Sequence, residues 1–159
     1  MASDKSKVFL GSAFGLGLLP IMPGSFGALV GLAWHYVPWY LGVNDWIIRL
    51  WCLSGIVLFS IIHYRLTPWA QRYWNDPDPG HFVLDEVVGY LCVPLLALPE
   101  TLWWHPLAGF ALFRIFDIIK LPGARYIDRN IHTASGVLLD DVVDAAYAAV
   151  VLSLIIKFV

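Results

Sequence analysis

The chain has 159 residues, the length of a single domain, and no internal repeat or low-complexity linker divides it. Hydrophobic residues make up 59% of the sequence and charged residues only 14%, and the mean hydropathy is +0.70. Soluble domains contain roughly 25% charged residues, so this composition excludes an ordinary soluble domain and predicts an integral membrane protein. The net charge of −2, without a basic patch and interleaved aromatic residues, gives no indication of nucleic-acid binding.

The N-terminal region combines a polar, basic start at residues 1–7 with an apolar, glycine-rich stretch at residues 8–19. Prolines interrupt this stretch and no convincing small-residue cleavage site follows it, so we predict an uncleaved interfacial or re-entrant segment. Ser25 is a natural N-cap for the next helix, which we predict at residues 26–41.

Further apolar runs follow this helix. The clearest, at residues 46–64, is long enough to cross most of a ~30 Å hydrocarbon core at about 1.5 Å per residue. A polar, turn-rich stretch follows it at residues 65–81, and a charged loop precedes the last run. The later runs cover residues 82–98, 103–120 and 137–158. The pattern predicts an all-α, integral membrane helical bundle with about four spanning helices, forming one domain over residues 1–159.

Lys and Arg occur on alternate connections between these helices. The connections at residues 42–45 and 99–103 contain neither, whereas the N-terminus and the other two connections contain several. Because Lys and Arg in short loops mark the cytoplasmic side, the basic connections should face the cytoplasm. This topology brings the following charged and polar residues to one membrane face: Ser25, Asp78, Asp85, Glu86, Asp117, Lys120, Asp128, Arg129, Asp140 and Asp141.

Five carboxylates near the ends of three apolar helices are the candidate metal ligands: Asp85, Glu86, Asp117, Asp140 and Asp141, with Asp144 one turn further on. A carboxylate at the edge of hydrocarbon costs at least ~2.5 kcal/mol on insertion scales, so such groups are paired, solvated or functional. Hard oxygen ligands suit Mg²⁺, and no Cys/His set has zinc spacing. For either acidic pair alone, the alternative is helix N-terminal charge favoured by the macrodipole. Their joint occurrence on one face predicts a Mg²⁺ site.

The candidate phosphate-binding residues are Ser25, Arg114, Lys120 and Arg129. The cations would supply the positive charge that a phosphate monoester needs, and Ser25 would add a helix N-terminus. Arg114, Asp117 and Lys120 are spaced by three residues and so share a helix face. The alternatives are an intrahelical Arg114–Asp117 ion pair and a lipid-facing topology role for Arg129. A Mg²⁺-assisted displacement by water or by an Asp fits this set.

Four motifs carry a family resemblance, at residues 18–27, at Asp78 with residues 83–89, at residues 113–120, and at residues 128–130 with 136–141. In this order, and over residues 11–147, the chain resembles the phosphatidylglycerophosphatase A family. The resemblance implies an all-helical, Mg²⁺-dependent enzyme of the bacterial inner membrane. It would hydrolyse phosphatidylglycerophosphate to phosphatidylglycerol and phosphate in phospholipid biosynthesis, with its active site facing the cytoplasm.

The resemblance also implies roles for the residues above. Asp85, Glu86, Asp117 and Asp141 would be catalytic, Mg²⁺ would bind to these four and Asp140, and the cations would lie near the phosphate. Two alternatives stay open, a transporter or channel that uses the intramembrane charges as an ion path, and a non-catalytic membrane scaffold. The number of metal ions, the nucleophile, head-group selectivity and the oligomeric state stay open as well.

Overall fold

A computed structural model describes residues 3–97 and 102–158 of the chain. Over these residues the protein is all-helical, as the sequence predicts, with seven α-helices, one short 3₁₀ helix at Leu16–Leu18, and no strand. The α-helices are α1 Asp4–Gly11, α2 Pro23–Tyr40, α3 Asp45–Trp74, α4 Leu84–Leu96, α5 His105–Ile119, α6 Pro122–Asn130 and α7 Ala134–Phe158. Most of the predicted connection at residues 99–103 lies outside the described residues.

Helix α4 is the centre of the bundle and packs against α2, α3 and α7. Between Leu84 and Pro94 every residue except Glu86 is buried. A helix that is apolar on all sides is buried on all sides, so the composition of this segment explains its place. Helix α5 lies against α7 and α2, and α6 lies against α7.

Glycines on α2 allow it to lie close to α4. A Cβ atom on Gly27 would lie 2.6 Å from the carbonyl oxygen of Val83, and one on Gly31 would lie 2.8 Å from that of Val87. Small residues at such positions let two helix backbones approach each other. The close contact sets the N-terminus of α2 against the N-terminus of α4, where Asp85 and Glu86 lie.

Helix α3 is the one described helix that is long and apolar enough to cross a membrane, with 30 residues and a mean hydropathy of 1.8 in its most apolar window. Its outward face exposes large apolar side chains such as Leu50 (54%) and Val57 (51%). Arg49, the early charge in this helix, donates to the carbonyl oxygens of Leu95 at 2.6 Å and Ala97 at 2.8 Å. It therefore satisfies carbonyls at the C-terminus of α4. The figure of about four spanning helices stays a prediction.

Three predicted boundaries are wrong. Residues 65–74, predicted as part of a turn-rich connection, are helical and end α3, because the strong turn residues begin only at Asn75, which has a left-handed φ of 52°. The charged loop before the last helix contains α6, which Pro122 opens at a first-turn position. Ser25 is not an N-cap, because α2 begins earlier, at Pro23.

Candidate active site

The N-termini of α2, α4 and α7 and the C-terminus of α5 meet at one end of the bundle. The Nε atom of Arg114 on α5 donates to Ser25 Oγ on α2 at 3.1 Å. Lys120, directly after α5, donates to Asp140 on α7. The residues that the structure brings together here are Ser25, Asp85, Glu86, Arg114, Asp117, Lys120, Asp140, Asp141 and Asp144.

Asp85, Glu86 and Asp141 form one group of carboxylates, which we call the first triad. Each offers one oxygen, and these oxygens all lie within 4.8 Å of one another. Asp85 is 7% and Asp141 3% exposed. Asp85 Oδ1, Glu86 Oε2 and Asp141 Oδ2 have no hydrogen-bond partner among the described residues. Buried carboxylate oxygens without partners are strongly unfavourable, so this oxygen-only set fits a hard divalent cation such as Mg²⁺.

Asp117, Asp141 and Asp144 form the second triad, which shares Asp141 with the first and meets the same 4.8 Å criterion. Asp144 is fully buried. It was not among the predicted ligands, although its spacing of three residues from Asp141 places both on one face of α7. That spacing is the feature of the sequence from which Asp144 could have been predicted as a ligand.

Lys120 lies among the carboxylates of the second triad. Its Nζ atom contacts Asp140 and lies 3.2 Å from Asp117 Oδ1, 3.4 Å from Asp141 Oδ1 and 3.4 Å from Asp144 Oδ2. The backbone of Lys120 has a φ of 53°, in the left-handed region that residues with a side chain seldom adopt. Such a conformation persists only where surrounding contacts hold it, and the four carboxylates provide them.

Arg114 connects the acidic cluster to α2. Its guanidinium forms an ion pair with Asp117, one helical turn away, and its Nε atom donates to Ser25. The intrahelical ion pair considered from the sequence therefore forms, and it lies inside the site. The Ser25 hydroxyl therefore accepts a hydrogen bond from the Arg114 side chain and does not cap a helix.

Arg129 does not join this cluster. It lies on α6 with an exposed side chain and forms no ion pair with any residue that the structure describes. The loop acid Asp78 lies close enough to Asp128 and Lys120 to be influenced by both charges. Partial desolvation, and then the Asp128 carboxylate, raise the pKa of Asp78. The phosphate-binding role of Arg129 stays a prediction.

The protein is an all-helical, apolar bundle with a buried carboxylate cluster, an arginine and a lysine at one end, and its unpartnered oxygens suit a divalent cation. The sequence profile of the phosphatidylglycerophosphatase A family matches residues 9–156. The chain belongs to this family.

Three curated proteins are similar to the chain over most of its length. Phosphatidylglycerophosphatase A of Escherichia coli is 35% identical over 90% of this chain and 79% of its own. The protein of the same name in Haemophilus influenzae is 36% identical, over 89% and 83%. A Bacteroides thetaiotaomicron protein named "Putative phosphatidylinositol-3-phosphatase" is 35% identical, over 92% and 91%. No solved structure matches the chain significantly.

Proposed function

We propose that this protein is a Mg²⁺-dependent lipid phosphatase that hydrolyses phosphatidylglycerophosphate to phosphatidylglycerol and phosphate. The observation that carries the proposal is the first triad, a set of carboxylates with buried, unpartnered oxygens, beside the guanidinium of Arg114. The family membership and two of the relatives' names support the substrate. All three relatives are named as phosphatases of phosphorylated lipids, which supports a phosphoric monoester hydrolase.

The residues divide into a metal-binding part and a phosphate-binding part. Asp85, Glu86 and Asp141 would hold Mg²⁺, with Asp117 and Asp140 beside them. The bound metal would supply positive charge to the phosphoryl oxygens as the phosphorus–oxygen bond breaks. The phosphate would bind to Arg114 and Ser25, while Lys120 and Arg129 would add positive charge nearby.

The surface of the bundle supports a lipid substrate. Large apolar side chains are exposed on α3, which is long enough to span a bilayer, and also on the N-terminal segment, where Phe9 is 53% and Phe14 54% exposed. Exposed apolar surface of this extent is typical of contact with lipid. We propose a multi-pass protein of the bacterial inner membrane, with the site on the cytoplasmic face because the basic connections lie at that end.

The test is phosphate release by the purified protein in detergent, with Mg²⁺ or with a chelator. We expect release from phosphatidylglycerophosphate that stops on chelation and returns when Mg²⁺ is added. Phosphatidylinositol 3-phosphate is the second substrate to offer, since one relative carries that name. If a folded preparation with Mg²⁺ releases phosphate from neither lipid, the phosphatase proposal is wrong. Ion transport in proteoliposomes would then test the transporter alternative.

Gly24 provides a steric test of the same site. A Cβ atom at this position would lie 2.1 Å from Glu86 Oε1 and 3.1 Å from an Nη atom of Arg114. We expect Gly24→Ala to lower kcat/KM for lipid hydrolysis by roughly 100-fold, because displacing catalytic groups by about 1 Å costs that much. The matched control is Gly80→Ala, whose Cβ would meet nothing within 4 Å. Equal activity of the two variants would contradict the proposed site.

A further inference from the structure

The two triads differ in how many of their carboxylates already contact a cation. All three members of the second triad contact the ammonium of Lys120, at 3.2 Å from Asp117, 3.4 Å from Asp141 and 3.4 Å from Asp144. Neither Asp85 nor Glu86 of the first triad forms an ion pair with a described Lys or Arg within 4.0 Å. Lys120 therefore contacts every member of the second triad but only one member of the first, Asp141.

Both oxygens of Asp117, a member of the second triad, already contact cations. Its Oδ1 atom lies 3.2 Å from Lys120 Nζ, and its Oδ2 atom is paired with Arg114. Asp140 keeps one buried oxygen without a hydrogen-bond partner, and Asp144 keeps both of its oxygens without one, but the Oδ2 atom of each forms an ion pair with Lys120 Nζ. A metal ion could enter the second triad only if it displaced the partly buried ammonium of Lys120, which four carboxylates hold.

We propose that the site binds a single divalent cation, at Asp85, Glu86 and Asp141, and that Lys120 occupies the place of a second one. The inference rests on the proposed function, since it concerns the number of metal ions in that site. Asp141 would contact both cations, with one oxygen toward the metal and Oδ1 toward Lys120. Asp117, Asp140 and Asp144 would then be positioning residues that hold the ammonium.

The backbone of Lys120 supports this role. Its positive φ of 53° falls where α5 ends and directs the chain toward Leu121 and α6. Lysine is unfavourable in that conformation, since glycine or asparagine adopts it with less steric strain. A side chain kept at such a position is expected to have a function of its own, and contact with four carboxylates is the one seen here.

The experiment measures how many metal ions the whole protein binds, with Mn²⁺ as the spectroscopic probe. Purified wild-type protein in detergent is titrated with Mn²⁺, bound metal is counted, and the electron paramagnetic resonance spectrum is recorded at saturation. We expect about one Mn²⁺ per chain, with the spectrum of isolated ions. About two Mn²⁺ per chain with an exchange-coupled spectrum would overturn the proposal, because two ions sharing Asp141 would couple.

Three variants complete the test. Lys120→Met removes the ammonium and keeps most of the side-chain volume, so we expect a second Mn²⁺ to bind and couple to the first. A folded Lys120→Met protein that still binds one ion would overturn the proposal. If that variant does not fold, Asp144→Asn provides the test. We expect its affinity for Mn²⁺ to stay within about twofold of wild type. A tenfold or greater loss of affinity would show that Asp144 binds a metal ion and would overturn the proposal. Asp85→Asn should lose tight Mn²⁺ binding.

These outcomes separate the inference from the proposed function. Two coupled ions in an active enzyme would remove the single-ion inference and leave the lipid phosphatase in place. Hydrolysis that persists in chelator, in a protein that binds no Mn²⁺, would remove the metal dependence as well as the inference.

Discussion

Asp141→Asn is expected to lower kcat/KM for phosphate release by roughly 1,000-fold or more, which corresponds to about 4 kcal/mol of transition-state stabilisation. Asp141 belongs to both triads, is 3% exposed, and lies 3.4 Å from the Lys120 ammonium. Asparagine keeps the shape of the side chain and removes its charge. The variant therefore loses a metal ligand and a counter-ion of Lys120 in one step.

The measurement is phosphate release from phosphatidylglycerophosphate at saturating Mg²⁺, with helicity and size-exclusion behaviour recorded to establish that the variant is folded. Asp4→Asn is the matched control, because Asp4 is an exposed residue of α1 whose side chain is 63% accessible. An exposed ion pair such as that of Asp4 with Lys7 contributes about 1 kcal/mol or less, so this variant should retain full activity. A folded Asp141→Asn protein with near wild-type activity would show that catalysis does not use the carboxylate cluster.

Gly136→Ala is expected to have the largest effect on stability. Gly136 lies in the first turn of α7, and a Cβ atom there would lie 1.8 Å from the carbonyl oxygen of Ile131. That oxygen belongs to the backbone, so no side-chain rotation relieves the overlap, and the start of α7 must move. Overpacking costs typically 1–3 kcal/mol, and this contact should lie at about the upper limit, a decrease in melting temperature of roughly 5–10 °C.

Thermal unfolding in detergent, followed by circular dichroism, measures this effect. Activity should fall too, because α7 carries Asp140, Asp141 and Asp144. Gly123→Ala is the control, since a Cβ atom there would meet Val143 Cγ1 at an ordinary 3.5 Å. Similar melting temperatures for the two variants would contradict the close approach of α7 to Ile131.

The all-helical fold and the meeting of the acidic residues could be predicted from the amino-acid sequence alone. Composition predicts an apolar bundle, and the alternation of basic connections assigns each helix end to one of two sides. Residues at helix ends of the same side then lie at the same end of the bundle, although not all of them come into contact, and Arg129 lies outside the cluster. Asp85, Glu86, Asp117, Lys120, Asp140 and Asp141 were predicted on one face for this reason, and the structure brings them to one end of the bundle.

Which of these groups face each other depends on packing between helices and could not be predicted from the sequence. The alternation of basic and non-basic connections predicts at which end of the bundle each helix terminus lies, but it does not predict how each helix is rotated about its own axis. Glycine contacts set that rotation where α2 meets α4, and the left-handed backbone of Lys120 directs its ammonium at the carboxylates of α7. The contact of Asp144 with Lys120 and the pairing of Ser25 with Arg114 depend on these rotations and on the start of α2 at Pro23. Packing between helices, which periodicity along a single helix does not encode, therefore determined the neighbours of each charge.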